Sequence, residues 1–335
     1  MVRGSAVSKK SGVLLVNLGS PNAPTTSAVR RYLREFLWDP RVVNLPRFLW
    51  WIILNFLVLP FRPKKSLKAY KKIWDKKGSP LIFLTHQLVD KVASQFDDKK
   101  YGGRYSVDCV MRYGQPSIVK QLKQYKKTQI DELIVIPLYP QYSSTTTASV
   151  YDEVLKHVSK WWHIPSLRIV SDYHDKPAYI DAIAYSIEYA WEKNGRNEML
   201  LMSFHGLPDK LTQWGDPYFD QCNRTAELIA EKLSLPKNQW KIVFQSRFGK
   251  AKWLQPYCIE VLQALPEQGI KNIDVVCPGF AVDCLETLEE IELTNKAIFI
   301  ESGGDSYQYI PALNDSDKHV ELMIDLISGE VHERV

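Results

Sequence analysis

The sequence predicts an α/β protein built from two related lobes, each with a parallel sheet covered by helices. Short apolar runs alternate with segments of helical periodicity, which is typical of strands joined by crossover helices. An internal repeat supports two lobes, because residues 18–21 (LGSP) and 205–208 (HGLP) both follow an apolar run. The length of 335 residues, 45% of them hydrophobic, is sufficient for two buried cores.

The apolar runs and helical patterns place the elements of the first half. The first helix follows a segment rich in Thr and Ser, which cap helices well, and its apolar residues recur at helical spacing. We expect an N-terminal lobe at residues 1–163. Its strands are predicted at residues 13–17, 105–111 and 133–136, and its helices at residues 25–37 and 147–158.

The pattern starts again near residue 164 and predicts a C-terminal lobe at residues 164–312. A last helix at residues 320–327 belongs to a C-terminal helix and tail, residues 313–335. The strands of this lobe are predicted at residues 167–170, 199–204, 242–244, 273–277 and 297–300, with a helix at residues 180–191.

Composition and charge exclude several classes of protein. The net charge of +5 is too small for a dedicated nucleic-acid-binding protein, so no nucleic-acid partner is expected. The five cysteines contain no C-x-x-C pair, which argues against a disulfide framework or a closed zinc site and favours a reducing compartment. The N-terminal residues lack the apolar segment of a secretory signal, and we therefore expect a cytoplasmic protein.

The first half carries an insertion relative to the second, and residues 36–77, here called the lip, are its best candidate. Residues 48–61 form a 14-residue apolar run, which is too short to span a bilayer. This run is either a core helix or pocket wall, or a segment that contacts a membrane surface, as its two Trp residues suggest. Lysines follow. They are typical of a solvated basic face, but they would also suit a flat apolar ligand with carboxylates at its edge, or an anionic membrane.

His205 directly follows the predicted strand at residues 199–204 and precedes Gly206. Parallel sheets bind ligands at the carboxyl ends of their strands, so the position suits chemistry. A single strand-end histidine is nevertheless more often a structural residue, and a motif of this kind is a hypothesis that needs a second group.

The segment at residues 283–292 supplies that group, because five of its ten residues are acidic. If it is helical, Asp283, Glu286 and Glu290 lie within about 60° of one another on one face. Such a row needs a cation, although a solvated acidic face is the simpler alternative. A histidine and a glutamate that converge on one crevice could hold Fe²⁺ or Zn²⁺ weakly, or accept protons, which favours transfer of a metal over its storage.

At these residues the chain resembles the ferrochelatase family, which inserts Fe²⁺ into protoporphyrin IX to give haem and two protons. The resemblance rests on SFHGLP at residues 203–208 and CPGFAVDCLETLEEI at residues 277–291, with further motifs along most of the chain. The motifs VNLGSP, MRYG, PQYS, GDPY and QSRFG are among them. The resemblance implies two Rossmann-like lobes of the chelatase type, with the active-site cleft between them.

The resemblance also implies roles for individual residues. His205 and Glu286 would face each other across the porphyrin and bind or relay the metal and the pyrrole protons, while Asp283 and Glu290 would extend an acidic track. In the internal repeat Leu18 is the counterpart of His205, so we expect an apolar wall on the opposite face that helps to bend the macrocycle. Residues implied around the macrocycle are Tyr113, Tyr139, Trp253 and Phe280, and those near its propionates are Arg62, Tyr70 and Ser79.

The chain departs from animal members of the family at two places. Cys284 stands where those members have a histidine, which puts an accessory metal ligand in doubt. The sequence ends at Val335 without their cysteine-bearing extension, so we expect a monomer with no iron–sulfur cluster, and no cofactor besides Fe²⁺ as a substrate.

Two other functions stay open from the sequence. One is a haem or porphyrin carrier that uses His205 as an axial ligand, although a carrier has no use for the acidic row. The other is a chelatase for a different tetrapyrrole, such as coproporphyrin III, or for cobalt or nickel. Apolar lip residues favour protoporphyrin IX among these substrates, namely Trp50, Trp51, Ile52 and Phe56.

Overall fold

The computed structural model describes residues 9–96, 103–249 and 251–329. The predictions that concern residues 1–8 and 330–335, a missing secretory signal and the end of the tail, lie outside the described residues.

Four parallel strands form the sheet of the first lobe, in the order β2-β1-β3-β4. Every residue of β1 is buried, as expected for an inner strand covered on both faces. The bounds are β1 Ser11–Asn17, β2 Tyr105–Met111, β3 Glu132–Pro137 and β4 Ser166–Ile169. Because β4 pairs with β3, the first sheet extends past the division predicted at residue 163.

The sheet of the second lobe repeats this arrangement, with the order β6-β5-β7-β8. Its strands are β5 Met199–His205, β6 Trp240–Gln245, β7 Asn272–Val276 and β8 Ser306–Ile310. The strand β1 and the strand β5 therefore hold equivalent places. The internal repeat predicted from residues 18–21 and 205–208 is confirmed at the level of topology.

Helices cover both sheets. Those of the first half are α1 Thr26–Trp38, α2 Arg47–Ile52, α3 Leu59–Ile73, α4 Pro80–Phe96, α5 Ile118–Thr128 and α6 Thr147–Val158. Those of the second half are α7 Pro177–Asn194, α8 Lys210–Gln213, α9 Tyr218–Lys232, α10 Cys258–Glu267, α11 Lys296–Glu301 and α12 Asp317–Ser328. A π-helical segment, Ile53–Val58, joins α2 to α3, and a second one, Glu286–Asn295, precedes α11.

One predicted strand is wrong. Residues 297–300 lie in α11, and the last strand of the sheet is β8. A run of four apolar residues cannot by itself distinguish a strand from a buried helical turn. In the structure the run continues the second π-helical segment, and of its side chains only Phe299 is buried.

The two lobes exchange their last helices. The helix α7 leaves the first sheet and packs on α9, whereas α12 follows the second sheet and packs on α4. Arg168 of β4 also donates a 2.7 Å hydrogen bond to the backbone oxygen of Leu326 in α12. These helices and this hydrogen bond connect the two lobes. One hydrophobic cluster also contains residues of both sheets, such as Leu15 and Met202.

The lip is helical from Arg47 to Ile73, and its apolar run has one buried and one exposed face. One face is core, where Trp50 and Leu54 are buried and the indole Nε1 of Trp50 donates to the backbone oxygen of Leu37. The other face is exposed, with Phe48, Trp51, Ile52, Phe56, Leu57 and Phe61 on the surface. Within the described ranges, every helix is too short or too polar to cross a membrane.

Candidate active site

His205 ends β5 at the carboxyl edge of the second sheet, where parallel sheets bind ligands. Its Nδ1 lies 2.7 Å from the backbone oxygen of Gly206. Because a carbonyl oxygen only accepts, Nδ1 carries the hydrogen, and in the neutral ring Nε2 then keeps its lone pair. Among the described residues none forms a hydrogen bond with Nε2, so this atom is available as a base or a metal ligand.

Glycine is required directly after His205. The amide of Gly206 donates to the backbone oxygen of Gln245 at 2.8 Å, and a Cβ on Gly206 would lie 2.5 Å from that oxygen. In the first lobe, a Cβ on Gly19 would lie 1.8 Å from the backbone oxygen of Tyr113. After both strands, a glycine thus lies against the backbone oxygen of a neighbouring segment. Leu18, which precedes Gly19, is therefore equivalent to His205, which precedes Gly206.

Glu286 begins the second π-helical segment, a rare conformation that often occurs at functional sites. Burial, followed by the charge of Glu286, raises the pKa of the Tyr70 phenol, and Glu286 also contributes to the raised pKa of Tyr32. Tyr70 and Tyr32 belong to α3 and α1. The structure therefore brings this carboxylate of the second lobe close to two tyrosines of the first.

Glu290 is held by three hydrogen bonds from the end of β6 and the residue after it. Its Oε1 accepts from the Ser246 amide at 2.7 Å, and its Oε2 accepts from the Ser246 hydroxyl at 2.5 Å and from Gln245 Nε2 at 3.3 Å. Burial raises the pKa of Glu290, against the opposing effects of the Ser246 donors and of His205. The imidazole and this carboxylate are thus close enough to interact.

Asp283 lies before the π-helical segment, so the predicted row of three acids on one helix face reduces to Glu286 and Glu290. Its carboxylate is buried and accepts hydrogen bonds from the Tyr309 hydroxyl at 2.6 Å, the Asn314 amide at 2.7 Å and the Thr287 hydroxyl at 2.9 Å. These donors use several of the lone pairs of the carboxylate. The contacts favour a structural role, in which Asp283 fixes the start of the segment.

Cys284 is buried next to Glu286. Burial raises the pKa of the Cys284 thiol, and the charge of Glu286 and a hydrogen bond to it raise it further. A neutral thiol is a poor metal ligand.

The residues predicted near the propionates divide into two groups. Tyr70 and Ser79 are buried and meet at Ser20, whose hydroxyl accepts a 2.7 Å hydrogen bond from the Ser79 hydroxyl. Arg62 lies apart from them, with its guanidinium carbon 5.0 Å from the centroid of the exposed Phe248 ring. Because Phe248 follows β6, this contact connects the lip with the second lobe.

Of the residues predicted around the macrocycle, two hold buried polar atoms without a partner among the described residues, namely the Tyr139 hydroxyl and the Trp253 Nε1. Such atoms are rare in native proteins, so they are available to a ligand. Tyr113 differs, because its hydroxyl donates to Asp39 Oδ2 at 2.8 Å. Phe280 is partly buried and packs against two hydrophobic clusters.

Sequence reasoning gave no site role to Gln245 and Ser246, which it noted only as part of the motif QSRFG, or to Tyr32. A signal was present for the first two, since they directly follow the apolar run of β6 as His205 follows that of β5. For Tyr32 the signal was weaker, because a tyrosine at a core-facing helical position is common.

The arrangement can accept protons and attract a cation. His205 offers a free lone pair, while Glu286 and Glu290 place negative charge on the adjacent helix. Negative charge beside the imidazole favours the approach of a divalent metal. This chemistry suits a reaction in which a dication replaces protons.

Comparisons with known proteins identify the family. Residues 10–331 match the model of the ferrochelatase family. The ferrochelatase of Methylococcus capsulatus is 51% identical over 319 residues, which cover 95% of this chain and 96% of that protein. Ferrochelatase 2 of Shewanella oneidensis is 48% identical over 328 residues, which cover 97% of this chain and 98% of that protein.

Solved structures share the fold at low sequence identity. SirB from Bacillus subtilis with Fe³⁺ has a TM-score of 0.55 at 12% identity, over 95% of this chain and 94% of that one. CbiX, described as the terminal enzyme of sirohaem biosynthesis in denitrifying bacteria, has a TM-score of 0.50 at 14% identity, over 96% and 99% of the two chains. These similarities show the chelatase fold alone. Because the family match and the relatives of about half identity span nearly the whole sequence, the chain belongs to the ferrochelatase family.

Proposed function

We propose that this ferrochelatase uses protoporphyrin IX as its porphyrin, and that His205 and Glu286 act on the pyrrole protons and on the entering Fe²⁺. Insertion of Fe²⁺ into a porphyrin to give haem is the activity of the family, and it makes the protein a lyase. Fe²⁺ is a substrate in this reaction and not a resident cofactor.

The observation that carries the assignment of roles is the hydrogen bond from His205 Nδ1 to the Gly206 oxygen. It leaves the Nε2 lone pair free to accept a proton from a pyrrole nitrogen. Two such protons must leave as the dication enters. Glu286 and Glu290 would stabilise the imidazolium that forms and would favour the approach of the metal.

Leu18 would contact the opposite face of the porphyrin. Its support is the pseudo-symmetry of the lobes, which gives it the strand-end position that His205 holds in the other sheet. A leucine accepts no proton and binds no metal, so only one face of the macrocycle meets a base at this level. An apolar wall can also hold the ring bent, which exposes the nitrogen lone pairs.

An insertion assay with Fe²⁺ or Zn²⁺ and protoporphyrin IX tests these roles. We expect His205→Ala and Glu286→Gln to lose insertion by about 10²-fold or more, as for other acid–base groups. Matched controls are His157→Ala and Glu227→Gln, which change the same residue types on α6 and α9. Insertion at the parent rate by His205→Ala would contradict the proposal. Faster insertion into coproporphyrin III than into protoporphyrin IX would overturn the substrate assignment.

We further propose that the protein works in the cytoplasm and that the exposed face of the lip contacts an anionic membrane surface. Phe56, Leu57 and Phe61 are each more than 60% exposed, and exposed lysines such as Lys65 and Lys68 follow them. Apolar side chains beside basic ones are typical of segments at the bilayer interface.

Cosedimentation with vesicles tests this contact. Phe56→Ser combined with Phe61→Ser should release the protein from vesicles rich in phosphatidylglycerol, whereas Trp162→Ser, which changes a fully exposed aromatic residue away from the lip, should not. Equal binding of the parent protein to purely zwitterionic vesicles would contradict the role of the lysines.

We also propose a monomer that contains no iron–sulfur cluster. All five cysteines are buried, and burial raises the pKa of each thiol, to about 12 for Cys109 and Cys258. Cluster ligands are thiolates, which these environments disfavour. Absorbance typical of a [2Fe–2S] centre in the purified protein, or a dimer mass in light scattering, would contradict these statements.

A further inference from the structure

Gln245 is the last residue of β6, and its side chain is buried between the strand that bears His205 and the helix that bears the glutamates. Its Oε1 accepts a hydrogen bond from the Ser203 hydroxyl at 2.9 Å. Its Nε2 donates to the backbone oxygen of Glu286 at 2.9 Å and to Glu290 Oε2 at 3.3 Å. Both donor hydrogens of the amide are thus used on the second π-helical segment.

The backbone of Gln245 contributes a further contact, since its oxygen accepts the Gly206 amide at 2.8 Å. This bond fixes the turn directly after His205. Gln245 is therefore connected to β5 on both sides of His205, through Ser203 and Gly206, and to the π-helical segment through Glu286 and Glu290. A single buried residue joins the base to both acids.

The two glutamates differ in how they are held. The carboxylate of Glu290 accepts three hydrogen bonds, two from Ser246 and one from Gln245, which leave it little freedom to move. Gln245 holds Glu286 only through its backbone oxygen and makes no hydrogen bond to the Glu286 carboxylate. Gln245 therefore holds the charged group of Glu290 directly and that of Glu286 only through the helix backbone.

We propose that Gln245 is a positioning residue that sets the spacing between His205 and the two glutamates during metal insertion. The proposal rests on the roles assigned above to His205 and Glu286. Gln245 itself is 2% exposed, so its role is to act through the groups it holds. Misplacement of reacting groups by about 1 Å can lower a rate by about 10²-fold, which makes such spacing a large part of turnover.

Gln245→Met tests the proposal, because methionine has a similar length but donates no hydrogen bond. We expect kcat for insertion to fall by roughly tenfold to a hundredfold, while KM for the porphyrin stays within about twofold. The matched control is Gln141→Met, which changes an equally buried glutamine whose Nε2 donates to the Thr225 hydroxyl at 3.0 Å. The control should lose stability but keep kcat.

Ser203→Ala gives a second and milder test, in case Gln245→Met does not fold. It removes only the hydroxyl that donates to Gln245 Oε1. We expect kcat to fall severalfold with KM unchanged. Parent values of kcat in both variants would overturn the proposal.

A double-mutant cycle separates positioning from a general loss of structure. Glu290→Gln replaces one carboxylate oxygen, an acceptor, with an amide NH₂, a donor. At least one hydrogen bond from Ser246 or Gln245 to residue 290 is then lost. Adding Gln245→Met to this variant should then lower kcat by less than about threefold further, whereas independent effects would multiply.

If His205→Ala and Glu286→Gln keep insertion, the proposed function fails. If those variants lose it but the effects of Gln245→Met and Glu290→Gln multiply, only the positioning role fails.

Discussion

Lys72 Nζ lies 2.8 Å from Glu289 Oε1, and this ion pair joins α3 of the lip to the π-helical segment that carries Glu286. The lysine side chain is 54% exposed, and exposed pairs contribute at most about 1 kcal/mol to folding. The ion pair therefore has little effect on the stability of the whole fold. It links the position of the lip to the helix that holds the acids.

Reversing one charge of this pair should loosen the lip. Lys72→Glu would place two carboxylates side by side, and we expect the porphyrin KM to rise severalfold while the free energy of unfolding changes by less than about 1 kcal/mol. The exchanged pair Lys72→Glu with Glu289→Lys should restore KM. Lys71→Glu, at a neighbouring exposed position, is the control. An exchanged pair that behaves like the single variant would contradict this prediction.

Gly206→Ala should destabilise the turn after His205. The new Cβ would lie 2.5 Å from the backbone oxygen of Gln245, an atom of a sheet strand that cannot easily move. We expect a loss of about 1–3 kcal/mol in denaturant unfolding, together with reduced insertion. In Gly279→Ala the nearest contact would be an ordinary 3.4 Å, so a smaller loss is expected. Equal losses would show that the close approach is not the cause.

Leu18→Ala should lower turnover more than it weakens metal binding. If Leu18 holds the porphyrin bent against His205, its truncation relaxes the ring without removing a ligand. The measurement compares kcat with KM for the metal in the insertion assay. Unchanged turnover would count against an apolar wall at this position.

The stability of the fold should fall between pH 7 and pH 5 because of His319. Burial lowers the pKa of this imidazole to about 4, while its Nδ1 donates to the backbone oxygen of Asn314. The unfolded chain accepts the proton near pH 6.5, whereas the folded chain stays neutral until about pH 4, so acid favours unfolding. The contribution between pH 7 and pH 5 is about 2 kcal/mol.

Urea unfolding of the parent and of His319→Asn at both pH values checks this prediction. Asparagine does not titrate, so the variant should be less stable at pH 7 but should lose about 2 kcal/mol less than the parent on acidification. A parallel decrease in both proteins would assign the effect to other groups.

Much of the fold followed from local patterns. The sequence predicted β2 and α6 at their observed bounds, and it predicted seven of the eight strands that the described residues contain. This succeeded because an inner strand of a parallel sheet is apolar throughout, which a short window reveals. Residues 297–300 show the limit, since an equally apolar run became helical by continuing a preceding segment.

The candidate site followed partly from the same logic. His205 was found because it ends an apolar strand, and the repeat of that strand pointed to Leu18. The neighbours Trp50 and Trp51 show the limit of the pattern, because an apolar run alone does not tell that the first is buried and the second exposed.

The sequence by itself determined the two-lobed α/β architecture and the strand-end position of His205, because both depend on residues adjacent in the chain. The tertiary structure decided how the acids are held. Asp283 meets donors 26 and 31 residues away, and Glu290 meets Gln245 45 residues away. Spacing on one helix cannot reveal which distant groups donate hydrogen bonds to a carboxylate. In the structure such donors reach the carboxylates of Asp283 and Glu290.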